Sequence, residues 1–213
     1  SATLDGDVGH LIRHYQTDPV TVAIDEATDT VGTMHHLFLA VHHMDKDKVI
    51  GSIAKSIPKL LVFCQTKRTC DRVAHNLGEL GVDAGPIHGD MQQSARERAM
   101  RNFAEGKLAV LVATDVAARG LDIVDLPAVF NFDVPFNAED YIHRIGRTGR
   151  AGASGLAVTF VTRSDARLVA DLEKLLKAKL EIEPIEFDED SPDIRRQGRI
   201  NDGRRLYAGD EVP

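Results

Sequence analysis

Apolar residues gather in short unbroken runs, separated by longer stretches in which they recur every third or fourth position. The runs are Leu60–Cys64, Val82–Ile87, Leu108–Ala113, Ala128–Phe132 and Leu156–Val161, with an earlier one at Leu37–Val41. Strands apolar at consecutive positions are covered on both faces, unlike the alternating strands of a half-solvated sheet. Helical periods lie between them. Residues 68–80 put Cys70, Val73, Ala74, Leu77 and Leu80 on one stripe and end at Gly81, placed as a left-handed cap. Residues 92–105 repeat the design with Ala95, Ala99 and Phe103 and close on Gly106. Residues 165–179 follow a Ser164 N-cap and put Leu168, Leu172, Leu175 and Leu176 on a common face, and an earlier helix is predicted over 46–57. Repeated βα units predict an α/β fold: a doubly wound, mostly parallel sheet with helices on both faces. Such sheets take ligands at the carboxyl ends of their strands, here just after residues 64, 87, 113, 132 and 161.

Both flanks break the pattern. Residues 1–17 read as helical from Asp5, and Thr17-Asp-Pro19 with the acidic, Thr-rich stretch Asp25–Thr33 reads as a linker. From Asp188 to Pro213 the periodicity stops, and five Arg alternate with seven acids, a pattern of solvated or self-paired charge. The expected organisation is the end of a preceding domain and a linker over 1–30, one α/β domain over 31–187, and a polar tail over 188–213.

Composition narrows the classes. A chain of 213 residues, 43% hydrophobic, buries enough core to need no staples, and its two cysteines, Cys64 and Cys70, form no C-x-x-C pair. They read as reduced, buried thiols. No apolar stretch approaches a membrane span and no charged-then-apolar leader opens the chain, so a soluble cytoplasmic protein is expected. The net charge of −7 excludes a broad basic field, and any nucleic-acid contact has to be local. Aromatics at 5% with no Trp give no base-stacking platform. The His35-His36 and His42-His43 pairs lack a completing Cys or carboxylate set at zinc spacing, so they read as strand-end polar residues and no metal site is expected.

The densest chemistry is Tyr141-Ile-His-Arg-Ile-Gly-Arg-Thr-Gly-Arg150, after the fourth of the main strands. Arg144, Arg147 and Arg150 recur every three residues with no acid among them, so a helical turn running into a Gly-rich bend would converge three guanidiniums on a phosphate or carboxylate. A solvated basic face is the alternative. Gly146 and Gly149 count against it, since each costs about 1 kcal/mol inside a plain helix. After the third strand, Ala113-Thr-Asp-Val-Ala-Ala-Arg-Gly-Leu-Asp122 offers Thr114 to a phosphate and Asp122 to a sugar hydroxyl. A plain connector with a helix cap at Asp115 fits the same spacing. After the second, His88-Gly-Asp90 leads to Gln93 and Arg96, which share a helix face.

These segments, with Leu61-Val-Phe-Cys-Gln-Thr-Lys67, resemble in order and position the motifs of the second RecA-like domain of the DEAD-box RNA helicases of superfamily 2, in a bacterial form. The resemblance covers about residues 33–187, and Ser1-Ala-Thr3 is similar to the motif that closes the family's first domain. No G-x-x-x-x-G-K-[ST] loop and no D-E-A-D occurs in the chain. The resemblance therefore implies half of an ATP-dependent helicase, inactive alone, with ATP as cofactor and Mg²⁺ held by the first domain. It implies that Arg147 and Arg150 reach the γ-phosphate of ATP, Arg150 as arginine finger, and that Asp122 meets the ribose. It assigns Thr66, Gly89, Gln93, Arg96 and Thr114 to RNA phosphates and sugars. Arg119, His143 and Arg144, with Ser1 and Thr3, are implied to couple the domain to the first. RNA and that first domain are the expected partners, the RNA bound weakly, with little sequence preference and a shallow salt slope. A non-catalytic RNA-binding or docking module and a related DNA helicase domain are the competing classes. The Arg147/Arg150 pair counts against the module, and binding to RNA against DNA of equal sequence separates the other.

Overall fold

The computed structural model describes residues 34–149 and 155–185, and the expected first-domain end, linker and tail, with Ser1, Thr3 and Arg150, lie outside the described residues. The strands are β1 (Met34–Val41), β2 (Leu60–Cys64), β3 (Ala84–Ile87), β4 (Val110–Thr114), β5 (Ala128–Asn131), β6 (Gly155–Val161) and β7 (Ile182–Ile185). The helices are α1 (Lys46–Ala54), α2 (Lys67–Glu79), α3 (Gln93–Ala104), α4 (Asp115–Arg119), α5 (Ala138–Ile145) and α6 (Ala166–Leu176). All pairings are parallel, in the order β3-β4-β2-β5-β6-β1-β7. The chain leaves β2 toward the β3 edge, returns as β4, then crosses β2 to β5. The winding therefore reverses around β2, where a crevice is expected at the carboxyl ends.

Burial follows the apolar runs. β2, β4, β5 and β6 are buried at every position. Leu60, Val62 and Cys64 face one side with α1 and α2, while Leu61 and Phe63 face the other with Phe103 of α3 and Ala118 of α4. On that second side, Tyr141 and Ile145 of α5 and Leu172 and Leu176 of α6 pack on Phe38 and Ala157. Helices thus cover both faces, as expected. Cys64 and Cys70 are buried free thiols, and burial pushes the Cys64 thiol up.

Several local expectations are corrected. Leu80 and Leu175 are partly exposed, at 38% each, because both sit at the rim of their stripes. The N-terminal cap before α6 is Thr162, in a capping box with Asp165 around a 3₁₀ turn, rather than Ser164. α4 is capped by Thr114, whose Oγ1 accepts from Ala117 N, and not by Asp115. β1 starts at Met34, which takes His36 into the core, its Nδ1 2.7 Å from Tyr141 Oη. Burial holds His36 down to about 4, so the ring is neutral at ordinary pH. β7 was not foreseen: four residues with a proline make no periodic signal, and Pro184 fits there because β7 is an edge.

Gly81 and Gly106 take the expected left-handed caps (φ +78° and +75°). The 148–149 segment meets the start of β6 so closely that a Cβ on Gly155 would stand 2.5 Å from Gly149 N.

Candidate nucleic-acid and nucleotide interface

The turns after β2 and β3 form one edge of the carboxyl face. Thr66 is exposed and caps α2, its Oγ1 accepting from Thr69 N at 3.1 Å. Lys67 Nζ donates to Asp90 Oδ1 at 2.5 Å, tying the two turns together across Gly89. Buried His88 anchors the second turn to α2 through Asp71 Oδ1, 2.8 Å from Nε2. Gln93 opens α3 and donates to Glu97 at 3.0 Å, while Arg96, one turn on, is half-buried. No side chain caps α3. Its first N–H groups are left for an outside acceptor, and that end of a helix favours an anion. Thr114 ends β4, the strand next to the β3 edge, and is buried, its hydroxyl capping α4.

The other edge is built by α4, α5 and the bends after them. Arg119 Nη2 donates to Asp140 Oδ1 at 2.5 Å, and His143 Nδ1 lies 3.9 Å from the same oxygen. Arg119 and His143 remain exposed, and the Arg119–Asp140 pair locks α4 to α5. Arg147 donates to the carbonyls of Leu121 (2.8 Å), Ile123 (3.3 Å) and Ala118 (2.9 Å), fixing the loop that carries exposed Asp122. The Thr148 hydroxyl donates to Leu126 O, and Leu126 N to Arg147 O.

Arg144 differs from its expected role on the cleft surface. It is 1% exposed, and its Nε and Nη2 grip both Asp115 oxygens at 2.6 and 2.7 Å. Nη1 donates to Asp133 O at 2.8 Å and Asn131 Oδ1 at 3.3 Å, and the guanidinium lies 5.2 Å from the centre of the Phe63 ring. The expected convergence of the arginines on one anion is not seen among the described residues. Arg144 clamps Asp115, and Arg147 clamps a loop, because each finds an internal acceptor closer than solvent.

Sequence reasoning missed the acceptors and their supports: Asp115, Asn131, Asp133 and Lys46. Asp115 and Asp133 carried a signal, since each is a polar residue at the end of an apolar strand. Lys46 carried none. It is buried with its Nζ donating to Phe132 O at 2.7 Å and lying 3.8 Å from Asp133 Oδ1, and burial lowers its pKa against the raising influence of Asp133.

The parallel sheet reverses around β2, with polar turns on one side of its carboxyl face and Arg-pinned loops on the other. Residues 45–152, a little over half of the chain, match the helicase conserved C-terminal domain. The chain is 37% identical over 98% of its length to the ATP-dependent RNA helicase DBP2 of Candida albicans. It is 41% identical over 85% to the DEAD-box ATP-dependent RNA helicase CshA of Bacillus subtilis. It covers 37% of each of these relatives. The C-terminal domain of the DEAD-box protein Dbp5 superposes with a TM-score of 0.60 at 31% identity, covering 70% of this chain and 87% of that one. Dbp5 of S. cerevisiae has also been seen bound to RNA and ADP BeF3, with a TM-score of 0.62 at 30% identity over 74% of this chain and 42% of that one. The chain belongs to the helicase conserved C-terminal domain family, in the form carried by DEAD-box RNA helicases. Fungal and bacterial relatives match at similar identity, so the expected bacterial form is not distinguished.

Proposed function

We propose that the chain is the C-terminal half of a cytoplasmic, ATP-dependent RNA helicase that opens short duplexes by closing on its first RecA-like domain. The observation that carries the reading is the division of the carboxyl face. Thr66 and Gly89 lie in the turns after β2 and β3, Gln93 and Arg96 on the first turn of α3 and Thr114 at the end of β4, while Asp122 and Arg147 belong to the loops that α4 and α5 support. A strand of RNA laid on the first group meets hydroxyls and an open helix N-terminus, groups that read backbone and not base edges.

On the second group, Asp122 accepts from the ribose, and Arg147 holds the Asp122 loop and turns toward phosphate when a nucleotide competes with the three carbonyls for its head. Arg150, three residues on, acts as the finger. Mg²⁺-bound ATP supplies the phosphoryl group whose developing charge a planar cation stabilises. Fit to the metal is poor on this chain, as no cluster of His, Cys, Asp or Glu among the described residues suits a metal. The metal ligands are therefore assigned to the first domain. Arg119 and His143, exposed at the edge, dock that domain, with Ser1 and Thr3 coupling it to the ATP site. Arg144 serves it indirectly by fixing α4.

The test is RNA-stimulated ATP hydrolysis by the complete two-domain protein, wild type against Arg150→Ala. A loss on the order of 10³-fold with RNA affinity unchanged is expected. Turnover by the isolated 213-residue chain would refute the reading.

A further inference from the structure

Between the two edges of the face lies a set of hydrogen-bonded polar groups, Lys46 and Arg144 buried and Gln65 and Asp133 partly buried. β5 runs into Asp133, and three atoms of that residue hold three different elements. Oδ2 accepts from the Gln65 backbone N–H at 3.1 Å, Oδ1 faces Lys46 Nζ at 3.8 Å, and the carbonyl accepts from Arg144 Nη1 at 2.8 Å. Gln65 is held a second time, its Nε2 donating to Val134 O at 2.7 Å. Gln65 directly precedes Thr66 of the first edge, and Arg144 of α5 grips Asp115, which opens α4 of the second.

Such a set is poor value as a source of stability. Taking Lys46 out of water is barely repaid by a carboxylate 3.8 Å away, and an apolar group of the same shape would stabilise as well. What hydrogen-bonded charges supply instead is fixed geometry, because each bond has a direction and a length. We propose that Asp133 is a positioning residue, a junction that keeps the Thr66 turn and the Arg144–Asp115 clamp in one register and thereby couples RNA binding to nucleotide binding. The inference rests on the helicase reading and adds to it the residue through which the two edges communicate. Coupling between sites requires an element that both ligands bias, and Asp133 is bonded to the supports of both.

The test uses the complete two-domain protein, a polyuridine strand and a non-hydrolysable ATP analogue. The quantity read is the factor by which RNA tightens the analogue. Asp133→Ala is expected to lower that factor about tenfold, as loss of a charge-assisted hydrogen bond does. The double variant Lys46→Met/Asp133→Asn keeps an acceptor for the Gln65 backbone N–H with no unpaired buried charge, and is expected to restore it. Gln65→Ala keeps the backbone N–H on Asp133 Oδ2 and removes only the Nε2 bond to Val134 O, so it is the control and should leave the factor within twofold of wild type. A purely structural Asp133 would lower the unfolding midpoint and leave the factor alone. A factor within twofold of wild type in a folded Asp133→Ala, an equal loss in Gln65→Ala, or no restoration in the double variant overturns the proposal. Failure of the wild type to show RNA-stimulated turnover overturns the helicase reading itself, and is distinguishable because it precedes any variant.

Discussion

Replacing Arg144 by methionine removes a guanidinium that is 1% exposed and leaves four acceptors behind: both Asp115 oxygens, Asp133 O and Asn131 Oδ1. Breaking one side of a buried ion pair costs about 3–5 kcal/mol, much of it the desolvation of the partner left alone. The Asp115 side chain keeps 24% of its surface, so water recovers part of that loss and the lower end, about 3 kcal/mol, is expected. For a domain of this size that is a fall in Tm of roughly 6–12 °C. The assay is urea and thermal unfolding of the chain, with the cycle completed by Asp115→Asn and the double variant. The double variant should be less destabilised than the sum of the singles by about 2 kcal/mol, since no charge is then left unpaired. A single Arg144→Met costing under about 1 kcal/mol, the value of an exposed pair, would refute the internal-clamp reasoning and return Arg144 to the cleft surface.

Two further outcomes follow from the packing. Gly155→Ala puts a Cβ 2.5 Å from Gly149 N and 2.6 Å from Gly149 Cα, contacts with backbone that cannot swing away, so a loss of about 2 kcal/mol is expected in chemical denaturation. A wild-type Tm would show that the 148–149 bend yields instead. Acid sensitivity has two opposed sources. His36 is held down to about 4 from an ordinary 6.5, so the unfolded chain binds its proton first and stability falls as pH drops from 6.5 toward 4. Glu183 is pushed up to about 7 by burial and Glu181, so its contribution is lost as pH rises from 4.5 toward 7. Comparing wild type with His36→Leu isolates the first. The stability difference between them should grow by about 2 kcal/mol in favour of wild type from pH 5 to pH 7. A pH-independent difference would mean that His36 titrates normally.

The motifs single out Thr66, Gln93, Thr114 and Asp122, whereas the geometry adds Asp133 and Lys46 as supports. The N-terminus that α3 leaves without a side-chain cap is suited to an anion, and it comes from a glutamine where a Ser or Asp cap would have closed it.

The amino-acid pattern alone determined the parallel sheet, because continuous apolar runs such as Leu60–Cys64 and Leu156–Val161 have only one stable home, between two layers of helix. It also determined which turns lie at the carboxyl end of the sheet, since these follow from strand order along the chain. Left-handed caps at Gly81 and Gly106 were legible for the same local reason. Only the tertiary structure decided where each arginine points. Equally spaced Arg144 and Arg147 look alike in sequence, yet one finds Asp115 and the other finds three carbonyls, since those acceptors come from 20 to 30 positions away and meet them only after folding. The same holds for Lys46, an ordinary surface lysine by pattern, which burial makes a counter-ion because Asp133 arrives beside it from the far end of β5. Directional contacts between distant segments leave no period in a sequence, whereas burial of apolar surface does.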